Sequence, residues 1–154
     1  MKRWLRPIRK MGACSEAIEW GENYDSLEEA WANCERGDWM LWLAGRLSGS
    51  PESESRKRLV LAACECARLA LPYVKEGETR PLKALETAEQ WARGENNITL
   101  RDVKNAADAA ADAAADAAYA AAYAAKDAAK DAILKQCADI VRKHYPVVPS
   151  GAMK

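Results

Sequence analysis

Residues 105–131 read NAADAAADAAADAAYAAAYAAKDAAKD, and this stretch sets the expectation for the fold. Eighteen alanines lie between positions 106 and 132, and alanine has the highest helix propensity of all residues. On a helical wheel, every residue of the stretch other than alanine falls within about 140°, as a period of 3.6 residues requires. No proline or glycine follows until Pro146. The stretch therefore predicts a long alanine-rich C-terminal helix of up to about 45 residues.

The same wheel leaves the continuity of this helix open. Its C-terminal apolar residues occupy the sector that aspartates and tyrosines occupy further upstream; they are Ile133, Leu134, Cys137, Ile140 and Val141. Three explanations remain. The helix breaks or rotates between about residues 126 and 133, or the upstream stripe faces partly inward. Alternatively, the alanine sector is simply wide and the end of the helix packs separately.

The rest of the chain has helix start signals and almost no strand pattern. Ser26, Asp38, Thr79 and Thr99 each stand where an apolar helical repeat begins. In the stretch GDWMLWLAGRL at 37–47, Gly37 is expected to end one helix and Asp38 to cap the next. The sequence therefore predicts an all-α fold, a single helical bundle of five or six helices that includes the alanine-rich one.

Composition divides the chain into three expected parts. Residues 1–12 hold five basic residues and one proline and predict a basic flexible arm. Residues 13–145 form the helical domain, and residues 146–154 a C-terminal tail. The formal net charge is zero, which argues against a protein-wide basic field for nucleic acid. The absence of a secretory signal or an apolar span, together with an odd number of cysteines, favours a cytoplasmic location with reduced thiols.

Catalytic and metal-binding motifs are not recognisable. A zinc site from Cys64, Cys66 and His144 conflicts with helical geometry, because residues two apart point about 200° away from each other. Buried structural thiols are the favoured explanation. His144 is the single histidine, and no nucleophile motif or glycine-rich phosphate loop is present. We expect no enzyme, no catalytic residues, no metal and no cofactor.

Two sets of residues are candidates for binding. Trp39 and Trp42 share one helical face and could form an aromatic shelf, although a role as determinants of the fold is the favoured explanation. The other set is an acidic and tyrosine-lined stripe on the alanine-rich helix, which could bind a basic partner or simply keep that helix solvated. It consists of Asp108, Asp112, Asp116, Tyr119 and Tyr123.

Several longer motifs resemble a known family. They are ACSEAIEW at 13–20, EEAWANCERGDWMLWL at 28–43, RLVLAACECARL at 58–69 and RPLKALETAEQWARGE at 80–95. Together with the alanine-rich helix they resemble the all-α immunity-protein family of bacterial polymorphic toxin systems and similar small phage-encoded proteins. The resemblance covers most of residues 13–143 and implies a protein that neutralises a partner.

Three hypotheses for the function follow. The first is a non-enzymatic inhibitor that binds a toxin or defence component. The alternative is a small-molecule binder or sponge, with a nucleotide signal as its ligand in phage immune evasion. The third is a nucleic-acid binder that uses the N-terminal arm, which the zero net charge disfavours. A strip of alanine methyl groups also makes a homodimer possible, and no membrane association is expected.

Overall fold

A computed structural model of the chain describes residues 1–106 and 127–149. Residues 100–106 are helical, and no residue in the described ranges lies in a β-strand. The remaining helices are α1 (Leu5–Lys10), α2 (Ser15–Gly21), α3 (Leu27–Asn33), α4 (Gly37–Leu47), α5 (Glu54–Arg68), a 3-10 turn (Leu71–Tyr73), α6 (Arg80–Arg93) and α7 (Asp127–His144). The all-α prediction is confirmed. The number of helices exceeds the expected five or six, chiefly because α1 was not foreseen.

The segment expected as a flexible arm contains α1. Its Leu5 and Ile8 are three residues apart and lie on the same helical face, and they are only 2% and 7% exposed. Lys2 also connects the segment to the residues that follow α2. Its Nζ donates to the Tyr24 carbonyl oxygen and to Asp25 Oδ1, both at 2.8 Å. The limits of arm, domain and tail at 12 and 145 stay predictions.

Of the residues predicted to start helices, Ser26 and Thr99 form capping hydrogen bonds, whereas Asp38 does not. Ser26 caps α3, with its Oγ accepting from the Glu29 backbone N–H at 3.1 Å. Thr99 and Asp102 form two reciprocal hydrogen bonds at the start of the helical residues 100–106. In each bond, the side chain of one residue accepts from the backbone N–H of the other. Asp38 does not cap α4, because that helix already begins at Gly37 and the Asp38 carboxylate binds Arg36 instead.

The core lies where α4, α5 and α7 pack together, and α6 packs on α5. On α7 the buried side chains are Cys137, Ala138 and Val141. The helix runs without interruption from Asp127 onward, and residues 107–126 of the predicted alanine-rich helix lie outside the described residues. In the two ranges that the structure describes, no helix has the length and apolar character needed to cross a membrane.

Candidate functional site

The residues expected to bind a partner fall into two groups. Trp39 and Trp42 lie three residues apart on α4, and both are half-buried. The stripe on the alanine-rich segment stays a prediction, because all of its members lie outside the described residues: Asp108, Asp112, Asp116, Tyr119 and Tyr123. The two tryptophans of α4 are therefore the part of the expected site whose surroundings can be described.

The two tryptophans line a cleft of about 470 Å³ that α1, α2, α3 and α4 enclose. Buried core side chains form its floor, among them Leu5, Trp31 and Met40. Half-buried indole rings surround these side chains, and they belong to Trp4, Trp20, Trp39 and Trp42. A volume of a few hundred Å³ with mostly apolar and aromatic walls is typical of small-molecule sites.

Packing between helices brings the indoles together. The ring of Trp20, on α2, meets the ring of Trp39 edge-on with centroids 5.8 Å apart. The Trp20 ring also lies 4.6 Å from the Tyr24 ring. Sequence reasoning missed Trp4 and Trp20 as cleft residues. The density of tryptophan in the first 42 residues was the available signal.

Among the described residues that line the cleft, Arg36 is the only cation. Its guanidinium lies 4.2 Å from the centroid of the Trp39 ring. It donates to both carboxylate oxygens of Asp38 at 2.9 and 2.8 Å and to Glu16 Oε1 at 3.2 Å. Burial acts to raise the pKa of the Asp38 carboxyl, but the Arg36 hydrogen bonds and charge outweigh it and hold that pKa below its usual value. The two carboxylates thus more than neutralise the guanidinium.

The cleft also presents hydrogen-bond donors. The indole N–H of Trp4 donates to the Tyr24 carbonyl oxygen at 3.2 Å. The indole N–H groups of Trp20, Trp39 and Trp42 have no acceptor within the part of the chain that the structure describes. An indole N–H acts only as a donor, so these three groups can bind acceptor atoms of a molecule in the cleft.

A second, shallower cleft of about 570 Å³ lies between α5, α6 and the end of α7. Its cationic lining comes from Lys57, Arg58 and Lys143, and His144 lies beside them. Glu65 pairs with the last two, at 2.7 Å from Lys143 Nζ and 2.8 Å from His144 Nε2. The hydrogen bond from Lys143 contributes most to a lowered pKa of Glu65. Glu54 belongs to the same lining and lies 3.3 Å from Lys57 Nζ, so carboxylates already pair with Lys57 and Lys143.

The cysteines considered for zinc binding point to different helices. The Cys64 thiol lies 3.9 Å from the Leu85 carbonyl oxygen, and the Cys66 thiol lies 3.7 Å from the Cys137 carbonyl oxygen. Burial raises the pKa of Cys64 to about 11 and that of Cys66 to about 12. Across residues 1–106 and 127–149, no cluster of three or more potential metal ligands is formed.

The secondary structure of the described residues is thus entirely helical, and the tryptophan-lined cleft is a surface that can bind another molecule. A comparison with protein-family models matches residues 49–142 to the family of Imm-5 like putative immunity proteins. The chain belongs to this family. Comparisons with curated proteins and with solved structures returned no match. The matched residues contain α5, α6 and most of α7, whereas every residue that lines the tryptophan cleft lies between positions 4 and 43.

Proposed function

We propose that the protein binds and neutralises a protein partner in conflict between bacteria, or between bacteria and phages, without catalysing a reaction. The observation that carries the proposal is the match to the immunity-protein family over residues 49–142 of the 154-residue chain. A protective role of this kind requires that the inhibitor occupies its target. It does not require turnover.

The four buried cysteines have the chemistry of packing groups rather than of nucleophiles. A thiol acts as a nucleophile in its thiolate form, and the raised pKa values of Cys64 and Cys66 keep that form scarce near neutral pH. Cys34 and Cys137 are buried as well, and burial raises the pKa of each. These thiols therefore serve as packing groups.

For the contact surface we propose the acidic and tyrosine-lined stripe from Asp108 to Tyr123. It falls inside the residues that match the family. Tyrosine is enriched at protein interfaces because its ring adds apolar area while its hydroxyl finds a polar partner. Neighbouring carboxylates steer a basic partner surface and fix its register.

The test is co-expression with a panel of toxin domains in a bacterial host, followed by titration of the purified pair. We expect the protein to rescue growth against one toxin and to inhibit that toxin only as the two approach equal concentrations. Complete inhibition by a small fraction of an equivalent indicates catalysis and contradicts the proposal. Failure to rescue or bind any toxin domain of the panel contradicts it too.

The second candidate function is small-molecule binding, including a sponge for a nucleotide signal in phage immune evasion. The tryptophan-lined cleft favours the binding of a planar small molecule, since indole rings stack on planar ligands, but its two rim carboxylates do not favour a nucleotide there. The third candidate, nucleic-acid binding through the N-terminal segment, depends on the exposed cations Arg3, Arg6, Arg9 and Lys10. Retention of DNA or RNA that weakens with salt would support this third function over the first.

We also propose that the alanine strip of the predicted alanine-rich helix permits homodimerisation, because methyl groups let helix axes approach closely. Sedimentation at tens of micromolar tests this. A dimer is the expected result, and a monomer at that concentration overturns it.

A further inference from the structure

We propose that the cleft between α1 and α4 is a binding site for an uncharged, planar aromatic molecule that carries hydrogen-bond acceptors. This inference deepens the second candidate function, small-molecule binding, and does not depend on the proposed neutralisation of a protein partner, which rests on the family match over residues 49–142 rather than on residues 4–43.

The shape of the cleft sets the size and character of the ligand. A space of about 470 Å³ lies within the range of small-molecule pockets. Its floor is part of the hydrophobic core, where Leu5 and Met40 are each only 2% exposed. Above that floor, indole rings from α2 and α4 leave apolar faces and edges half-exposed to water. An aromatic ligand would cover this surface with offset or edge-to-face ring contacts.

The charged residues in the described lining of the cleft disfavour an anionic ligand, and Arg46, 5.5 Å from the Trp42 ring, lies outside that lining. A phosphate or carboxylate needs an available cation, and the only cation in the lining is already bound by two carboxylates. One guanidinium against the carboxylates of Glu16 and Asp38 leaves a net charge of −1 at the rim. The cleft is therefore a poor site for a nucleotide, whose phosphates would meet that excess negative charge.

A cationic ligand is disfavoured for a different reason. Cation recognition by aromatic residues requires a free ring face. Arg36 already lies 4.2 Å above the Trp39 ring and engages both acidic side chains of the rim. At the Trp39 ring, a ligand cation would have to displace this guanidinium from three hydrogen bonds, and the neighbouring Trp20 ring already packs against Tyr24 and Trp39. A neutral ligand leaves the arrangement intact.

Hydrogen bonding adds the requirement for acceptors. Trp20, Trp39 and Trp42 line the cleft, and their N–H groups have no acceptor among the described residues. A ligand with carbonyl or ring-nitrogen acceptors can accept from them, whereas a purely hydrocarbon ligand would cover these donors and leave them unsatisfied. The ligand class is thus neutral, planar and acceptor-bearing.

Four probes of similar size separate the classes: 2-naphthamide (neutral aromatic), 2-naphthalenesulfonate (anionic), 2-naphthylmethylammonium (cationic) and decahydro-2-naphthamide (neutral, not aromatic). Binding is followed by calorimetry and by the six indole N–H resonances of the ¹⁵N-labelled protein. We expect 2-naphthamide to bind at least about tenfold more tightly than the other three. It should shift the resonances of Trp20, Trp39 and Trp42, and leave that of Trp91, on α6, unchanged.

A matched pair of variants locates the site. Ala17→Phe adds a ring inside the cleft, whereas Ala32→Phe adds the same ring at an exposed position of α3 that does not line it. We expect Ala17→Phe to abolish 2-naphthamide binding and Ala32→Phe to retain it. If Ala17→Phe does not fold, as judged by helicity, Trp42→Phe takes its place, since it removes one donor and should weaken binding by about tenfold.

Three results overturn the proposal. They are equal affinity for all four probes, undiminished binding in the cleft variant that folds, and absence of any shift of the three indole resonances at millimolar probe. None of these results bears on toxin neutralisation, which the co-expression test decides separately.

Discussion

The indole N–H of Trp31 donates a buried hydrogen bond of 3.0 Å to the carbonyl oxygen of Tyr145, 114 residues later in the chain. Trp31 lies on α3, and Tyr145 directly follows α7. The bond therefore joins the N-terminal helices, which form the tryptophan cleft, to the C-terminal helix of the family-matched region. It also satisfies a carbonyl at a helix C-terminus, where backbone acceptors lack intrahelical partners.

We expect Trp31→Phe to lower the free energy of unfolding by about 1–3 kcal/mol, because a buried carbonyl loses its donor. Urea unfolding followed by circular dichroism measures the change. Trp42→Phe is the control, since the Trp42 indole N–H has no acceptor among the described residues. Equal destabilisation by the two substitutions would show that ring size, rather than the hydrogen bond, determines the effect.

The first residue of α4 approaches α7 so closely that only glycine fits. A Cβ built on Gly37 would overlap the Cys137 Cβ and lie 2.6 Å from the Ala138 backbone nitrogen. Gly37→Ala should therefore lower the free energy of unfolding by about 1–3 kcal/mol through overpacking. Thermal and urea unfolding provide the measurement.

Gly45, in the same helix, is the matched control. Its added Cβ would have an ordinary contact of 3.6 Å with Leu59 Cδ2. Gly45→Ala should stabilise the protein by about 0.5–1 kcal/mol, because alanine is the better residue inside a helix. A neutral Gly37→Ala would show that α4 and α7 can separate without cost.

Much of the fold was predictable because its signals are local. Ser26 caps α3 as expected, and Gly94 ends α6 in the left-handed conformation with φ of 70°.

The predictions that failed depend on tertiary contacts. The short helix α1 was missed because its burial depends on contacts of Leu5 and Ile8 with other helices, while the five cations in this segment suggest a solvent-exposed arm. Asp38 was misassigned as a cap because its competing partner, Arg36, is revealed only by the backbone path before α4.

The candidate site was only partly predictable, again for a physical reason. The spacing of Trp39 and Trp42 places them on one face of a helix, which sequence alone establishes. Whether such a face is covered or left open depends on how α1 and α2 pack across it. That packing is a tertiary property, and it adds Trp4 and Trp20 to the cleft.

The Arg68–Glu89 ion pair should make stability depend on pH. Arg68 Nε and Nη2 donate to the two carboxylate oxygens of Glu89 at 2.7 and 2.8 Å, between α5 and α6. These hydrogen bonds hold the pKa of Glu89 below its usual value of 4.5. A carboxyl whose pKa is lower when folded contributes stability above its unfolded pKa, and that stability is lost as pH falls through the folded pKa.

We therefore expect Glu89→Gln to lower the free energy of unfolding at pH 7 by about 1–3 kcal/mol, and to flatten its decline below pH 4.5. Urea unfolding at a series of pH values measures both effects. Glu54→Gln is the control, because its partner Lys57 is one turn away on the same helix and the Glu54 side chain is 88% exposed. Identical pH profiles for wild type and Glu89→Gln would contradict the assignment.

The five cysteines should react at two different rates with a thiol reagent such as Ellman's reagent. Cys14 is exposed, whereas Cys34, Cys64, Cys66 and Cys137 are buried. We expect one thiol to react rapidly in the folded protein, and the other four only as the protein opens or in denaturant. Cys14→Ser should remove the rapid phase. A rapid phase that survives this substitution would show that a core thiol is accessible.

The last prediction concerns the stripe from Asp108 to Tyr123, which would extend over about 22 Å of helix. With the toxin identified by co-expression, Tyr119→Ala and Tyr123→Ala should each weaken binding by about tenfold or more, because aromatic residues supply most interface hot spots. Asp108→Asn, Asp112→Asn and Asp116→Asn should have smaller effects, chiefly on the association rate and its dependence on salt. Kinetic binding measurements at two salt concentrations separate these contributions.

Thermal unfolding of the same five variants distinguishes an interface from a core position. If the tyrosines lie on a binding face, their substitution leaves helicity and melting temperature unchanged while binding weakens. If they face inward, truncation to alanine lowers the melting temperature as core substitutions do, and any loss of binding follows from that instability. Unchanged binding together with unchanged melting in all five variants would contradict the proposed contact surface and leave the stripe as solvated helix surface.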